Sequence, residues 1–104
     1  MQNVCKPGTP LYVELSEADA EYSLTLPDSC VEWSFQCRDA VDIRYAFVTG
    51  KVATPTEPYL TCKSGQVIQS PPHHCFDNAD TPTIYFATDS TADPVVEVLT
   101  FVSA

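Results

Sequence analysis

Positive charge is scarce in this chain. Its 104 residues include five Lys and Arg against 14 Asp and Glu, which gives a formal net charge of -9 at pH 7. Proteins that bind nucleic acids use clustered Lys and Arg to displace counterions from the phosphates. The few basic residues here are dispersed, and the carboxylates are spread from Glu14 to Glu97. We therefore expect no contact with DNA or RNA.

Long apolar runs are also missing. No stretch approaches the roughly 18 residues that span a bilayer, and the start, Met-Gln-Asn-Val-Cys-Lys-Pro-Gly, lacks the apolar core of a signal peptide. We therefore expect a soluble protein that is made in a cytosol and has no membrane partner.

Cysteine is present in an odd number, which excludes complete pairing within one chain. The five residues are Cys5, Cys30, Cys37, Cys62 and Cys75. Cytosolic thiols are kept reduced. We therefore predict no complete disulfide framework, and we interpret the cysteines mostly as small buried hydrophobic residues.

The clearest pattern in the chain runs from Val31 to Phe47. Apolar residues alternate with polar ones, at positions 31, 33, 35 and 37 and again at 43, 45 and 47. A period of two is typical of β-strands with one buried face, so Trp33 and Phe35 are predicted to lie in the core with Cys37 on the same face. The polar break at 38–42 has the length of a hairpin connection, which predicts that the two strands are neighbours.

Turn residues separate further short strands along the chain. These strands are predicted at 11–15, 21–26, 59–62, 66–68, 83–88 and 95–102. Lys63-Ser-Gly65 is interpreted as the turn of a second hairpin. With the central pair, the total is about eight short strands and no convincing helix. This predicts an all-β fold, a two-sheet antiparallel β-sandwich or jelly roll. Residues 1–10 are predicted to form an N-terminal arm that orders on a neighbour, and residues 11–104 a single β-sandwich domain.

The last predicted strand is apolar on both sides. Val95, Leu99 and Phe101 fall on one face and Val96 and Val98 on the other. Such a strand either lies in a covered sheet or presents one side to a partner. Val95, Leu99 and Phe101 are therefore the candidate partner-binding residues.

No convincing reactive centre emerges from the residues. His73, His74 and Cys75 could bind a metal or form a nucleophile pair, but three adjacent side chains do not all point at one ion, and zinc sites normally combine two separated pairs of ligands. The simpler interpretation is a solvated loop stiffened by proline. We predict no catalytic residues, no metal and no cofactor.

The pair Asp39 and Asp42 could imitate the two carboxylates of a glycosidase. Loop residues that accept hydrogen bonds from their own backbone are the simpler interpretation. Arg38 and Arg44 flank the same break, which predicts ion pairs across it.

A carbohydrate-binding module is a second possible function. It needs exposed aromatic side chains, and Tyr59, Tyr85 and Phe76 near the long loop are the best candidates. Trp33 is assigned to the core instead, because it lies in the strongest alternating strand.

A domain-length pattern of strand and turn residues resembles the small virion structural proteins of tailed bacteriophages. The segments that carry the resemblance are Trp33 to Phe47, Lys51 to Pro55, Tyr59 to Gly65, Ile84 to Ala87 and Val96 to Phe101. The resemblance extends over about residues 21 to 103 and includes no catalytic motif. The cysteines and the His73-His74-Cys75 loop depart from the pattern.

The resemblance implies a β-sandwich that coats or stabilises a capsid, or that joins head and tail parts. It implies a non-enzymatic decoration protein that binds the major capsid protein or other virion proteins. It also implies a homo-oligomer that is made in the host cytoplasm and located in the virion.

Overall fold

The structure, a computed structural model, describes residues 5–27, 30–56, 58–69 and 83–103. Nine strands are found in these ranges: β1 Cys5–Pro7, β2 Leu11–Glu14, β3 Tyr22–Thr25, β4 Cys30–Cys37, β5 Ile43–Ala46, β6 Leu60–Cys62, β7 Val67–Gln69, β8 Thr83–Ala87 and β9 Val95–Ser103. Among the same residues there is no helix with the length and apolar character to cross a membrane.

The strands form two antiparallel sheets. The front sheet has the order β2-β9-β4-β7, and β1 pairs with β9 on the same side as β2. The back sheet has the order β3-β8-β5-β6. Because β1 and β2 share one edge, the nine strands occupy eight positions. Most connections pass from one sheet to the other, in the strand order of an eight-stranded jelly roll. The predicted all-β, two-sheet fold is confirmed.

Neither predicted hairpin forms. Strand β4 pairs with β9 and β7, whereas β5 pairs with β6 and β8 in the other sheet. Likewise β6 lies in the back sheet and β7 in the front sheet, although the turn itself is present, with a hydrogen bond from Gln66 N to Lys63 O (2.9 Å). The error has a physical cause. An alternating pattern identifies a strand's buried face, and that face looks the same whether the next strand lies beside it or across the core.

The N-terminal region also differs from the predicted arm. Residues Cys5–Pro7 form β1 and pair with the end of β9. The three residues 8–10 then face only two residues of β9, because Pro7 is opposite Phe101 and Leu11 is opposite Val98. This bulge is closed by a hydrogen bond from Gly8 N to Thr100 O (2.7 Å). Over residues 5–10 the predicted arm is therefore an edge of the front sheet. Residues 1–4 lie outside the described ranges.

The core lies between the sheets and is rich in aromatic side chains. Phe35 of the front sheet meets Tyr45 and Phe86 of the back sheet edge to face, with ring centroids 5.0 and 5.1 Å apart. Trp33 is 4% exposed and stacks on Phe35 (5.8 Å). The predicted core positions of Trp33 and Phe35 are confirmed. Phe47 contacts Trp33 at 5.9 Å but remains 47% exposed, because it follows the end of β5.

The back sheet has a cover on its outer face. Val52, in the β5–β6 connection, is fully buried against Ala46 and Ala87. Arg44 holds this connection against the back sheet, because its guanidinium donates hydrogen bonds to Val52 O (2.7 Å) and Ala53 O (3.3 Å). The chain itself thus covers part of one outer face of the sandwich, over the middle strands β5 and β8.

Candidate protein-binding face

Strand β9 separates its side chains cleanly between core and solvent. Val96, Val98 and Thr100 point inward and are buried, whereas Leu99 and Phe101 point outward and are 40% and 37% exposed. Val95, on the same outward side, is half-buried. The three predicted partner-binding residues therefore share one face. We call the outward side chains of the front sheet the front face.

Two further apolar residues lie on the front face and were not predicted. Tyr12 is opposite Glu97 on β9, and Val67 is opposite Gln36 on β4, so both point outward. They are 60% and 49% exposed. A signal for Tyr12 existed in the sequence: it alternates with Leu11 and Val13, which face the core. Val67 gives no such signal in a strand of three residues.

Glu97, the charged residue of β9 on this face, is compensated by its neighbours. Arg38 donates from Nε to the Oε2 atom of Glu97 (3.0 Å), and its Nη2 forms an ion pair with the same oxygen at 3.0 Å. Gln36 Nε2 donates to Oε1 (3.2 Å). The Arg38 guanidinium also lies 5.2 Å from the centre of the Tyr12 ring, within cation–π range. The polar groups around Glu97 are therefore internally satisfied.

Two exposed carboxylates border the front face without such compensation. Glu14 ends β2 opposite Val95, and Glu32 is opposite Phe101 at the far end of β9. Among the described residues, neither carboxylate has an ion-pair or hydrogen-bond partner. They lie at opposite corners of the face.

The β1/β2 edge of the front sheet is poorly suited to pairing with another strand. Pro7 and Pro10 lack an N–H to donate, and the bulge at 8–10 interrupts the edge between the two strands. Prolines and bulges are devices by which natural edge strands avoid pairing. Side chains of the front face, and not its edge, are therefore the better binding elements on this side.

Other residues singled out in the sequence do not form a site. Tyr59 and Tyr85 are half-buried and pack against the small core under Val52, so they do not make an exposed platform. His73, His74, Cys75 and Phe76 lie outside the described residues.

The two aspartates of the break serve separate connections. Asp39 Oδ2 accepts from Val95 N (2.9 Å), and Asp42 Oδ1 accepts from Ser64 N (2.8 Å). Asp39 therefore holds the start of β9 and Asp42 holds the turn at Ser64, and among the described residues neither side chain accepts from the backbone of its own loop. The predicted ion pairs across the break are wrong as well: Arg38 pairs with Glu97, and Arg44 pairs with Asp19 (2.9 Å). Because β4 and β5 belong to different sheets, Arg38 and Arg44 meet carboxylates from other parts of the chain instead of Asp39 and Asp42.

The described thiols are shielded from reaction by burial. Cys30, Cys37 and Cys62 are free, and desolvation raises the pKa of all three. Cys62 is fully buried, whereas Cys37 is half-buried on the face that it shares with Trp33. A raised pKa lowers the thiolate fraction and with it the nucleophilicity at neutral pH.

The absence of a complete disulfide framework among the five cysteines stays a prediction. The Cys5 side chain and Cys75 lie outside what the structure describes. Mass spectrometry after alkylation without reductant tests it, and two intact intrachain disulfides would refute it.

In the described part of the chain, no group of three or more His, Cys, Asp or Glu side chains is arranged to hold a metal ion. Comparison with protein-family models, with curated proteins and with solved structures finds no match to this chain. Function is therefore inferred from the fold and from the front face.

Proposed function

We propose that this protein is a non-enzymatic virion structural protein that decorates and stabilises a capsid by binding other virion proteins. The observation that carries the proposal is the exposed apolar front face. Leu99, Phe101, Tyr12 and Val67 are large apolar side chains that remain 37% to 60% exposed on one side of one sheet. Clustered exposed apolar residues of this kind mark protein-interaction sites.

The contrast between the two outer faces supports this assignment. The back sheet uses its own chain to bury Ala46 and Ala87 under Val52. The front face carries larger apolar groups, and no described segment lies over it. A partner protein is the natural cover for such a surface.

The architecture supports the same proposal at the level of fold. Jelly rolls occur in viral capsid proteins and in lectins, and fold alone does not choose between them. Sugar-binding sites use exposed aromatic platforms, and Tyr59 and Tyr85 are half-buried against the back sheet. The resemblance to virion structural proteins and the chemistry of the front face favour protein binding. A symmetric shell repeats each of its binding sites, and a closed homo-oligomer of this protein would match that repetition.

Electron microscopy of particles assembled with and without this protein tests the proposal. We expect added density at symmetry-related positions on the shell, and lower resistance of the particles to heat when the protein is missing. Particles that show no added density and that never co-purify with the protein would refute the virion role.

A further inference from the structure

We infer that the front face docks on an apolar partner surface rimmed by Lys and Arg, and not on a second copy of this chain. The inference deepens the proposed function and rests on it for the identity of the partner as a virion protein. Its physical basis is the arrangement of charge around the front face.

The centre of the front face carries no unbalanced charge. Leu99 and Phe101 provide apolar surface, and Glu97 is neutralised by Arg38 at 3.0 Å. A partner that covers this centre therefore buries no unpaired ion. Burying an unpaired ion is strongly unfavourable.

The border of the face is acidic. Glu14 and Glu32 are exposed at opposite corners, and neither is paired in the described part of the chain. The front face has no described cation other than Arg38, which Glu97 already occupies.

The remaining described cations lie elsewhere. Arg44 and Lys63 pair with Asp19 and Asp42, and Lys51 lies at the start of the turn that covers the back sheet. The side chain of Lys6, in β1, lies outside what the structure describes. Among its described side chains, the front face thus offers carboxylates to a partner and no unpaired cation.

Two copies of this chain are electrostatically mismatched at such a face. Each has a net charge of -9, so contact between two front faces brings acidic borders together, and the one described cation of each face, Arg38, is already paired with Glu97. At physiological salt, charges within about 8 Å still interact. Lys or Arg on the rim of a partner would instead pair with Glu14 and Glu32 and orient the complex.

The experiment uses two matched peptides as probes: an amphipathic helical peptide of Leu and Lys, and its Leu and Glu counterpart. Amide shifts of the 15N-labelled protein report where each peptide binds. We expect the Leu/Lys peptide to shift amides of β9 and β4 next to the front face, and the Leu/Glu peptide to bind far more weakly. Raising NaCl from about 0.1 M to about 1 M should weaken Leu/Lys binding because it shortens the screening length.

Matched variants distinguish an effect of the front-face carboxylates from an effect of the overall negative charge of the protein. The pair Glu14→Gln and Glu32→Gln should weaken Leu/Lys binding about threefold to tenfold, as expected for two surface ion pairs. The control variant Asp89→Asn removes one carboxylate from an exposed position in the β8–β9 connection and is compared with Glu14→Gln and Glu32→Gln taken singly. It should leave the affinity within about twofold, since that carboxylate is not on the front face.

If a second copy of this chain covered the front face, added salt and the loss of Glu14 and Glu32 would have the opposite effects on binding. If the front face mediated self-association, high salt and the Glu14→Gln and Glu32→Gln pair would strengthen a dimer that Leu99→Ser abolishes, as seen by sedimentation. That result would overturn the inference, and so would peptide shifts confined to the acidic loops. Peptide binding as expected, combined with no association with particles, would refute the virion role alone. Association with particles that is insensitive to Glu14 and Glu32 would refute the basic rim alone.

Discussion

At the scale of single residues, the position of an aromatic side chain relative to the end of its strand decides its role. Trp33 lies inside β4 and is 4% exposed, whereas Phe47 follows the end of β5 and is 47% exposed. The sequence pattern assigns both to the buried face. Only Trp33 lies deep between the sheets, so only Trp33 is predicted to contribute as a full core residue.

Substitution of Trp33 by Ala should therefore lower the free energy of unfolding by about 3 to 5 kcal/mol, through lost burial and a residual cavity. Phe47→Ala is the matched control, because it removes an aromatic ring that stays half exposed, and its cost should be clearly smaller. Urea unfolding of both variants measures the difference. Equal losses would contradict the assignment of Trp33 to the deeper core.

The buried Cys62 thiol provides a pH test. Burial raises its pKa, and the nearby thiol of Cys37 and the carboxylate of Asp42 add to the increase. The folded state thus holds this proton more tightly than the unfolded chain. The resulting stabilisation is fully present below the unfolded pKa of about 8.5 and is lost as pH rises through the higher folded value. Cys30 and Cys37 shift in the same direction.

We therefore expect the unfolding free energy under reducing conditions to fall above about pH 8.5. Cys62→Ala should reduce the slope of that fall, since the variant lacks one of the thiols whose pKa is raised. Unfolding curves collected between about pH 7 and about pH 10 provide the measurement. Parallel profiles for wild type and Cys62→Ala would show that this thiol does not contribute.

At the scale of elements, the edge formed by β1 and β2 depends on one close approach. A Cβ atom added at Gly8 would collide with the Thr100 Oγ1 atom, and Gly8 N donates to Thr100 O at 2.7 Å. Thr100 is fully buried, and its hydroxyl has no hydrogen-bond partner in the described part of the chain. The space beside Thr100 is thus too small for any side chain at position 8. Glycine at this position allows the edge to follow β9 through the bulge.

Gly8→Ala should destabilise the fold by about 1 to 3 kcal/mol, the usual cost of overpacking. Adding Thr100→Ala should recover part of this loss because it removes the colliding atom. Thr100→Val is the control, since it restores a group of the same size and should give no rescue. A double-mutant cycle measured by urea unfolding tests the coupling. Additive effects of Gly8→Ala and Thr100→Ala would contradict the close approach.

The elements also show how far the sequence could predict this fold. Alternation placed Ile43–Ala46 and Val95–Ser103 to within a residue or two, because a period of two is a local property. It could not pair β4 with β9, since the register between distant strands depends on tertiary packing. Strand β1 was missed because Cys5–Pro7 is short and contains proline, which is tolerated at a sheet edge.

At the scale of the whole molecule, the two outer faces of the sandwich differ in what covers them. The Val52 connection covers the middle strands of the back face, and the front face presents Leu99 and Phe101 to solvent. From the apolar second side of β9, the sequence predicted Val95, Leu99 and Phe101 as candidate partner-binding residues, and these three residues share the outward side of that strand. It did not predict the cover of the back sheet, because a single buried valine in a Pro-containing loop leaves no periodic signal.

The most direct test of the front face as the binding surface compares Leu99→Lys with Val98→Lys, two neighbouring positions with opposite orientation. Leu99 is 40% exposed and Val98 is 1% exposed. Circular dichroism and thermal melting establish folding, and co-sedimentation with particles that lack the protein measures binding. We predict that Leu99→Lys melts close to wild type but no longer sediments with the particles, because a charge at the centre of the contact must be desolvated, whereas Val98→Lys fails to fold. A Leu99→Lys variant that still binds particles like wild type, or that unfolds like Val98→Lys, would contradict the front face as the binding surface.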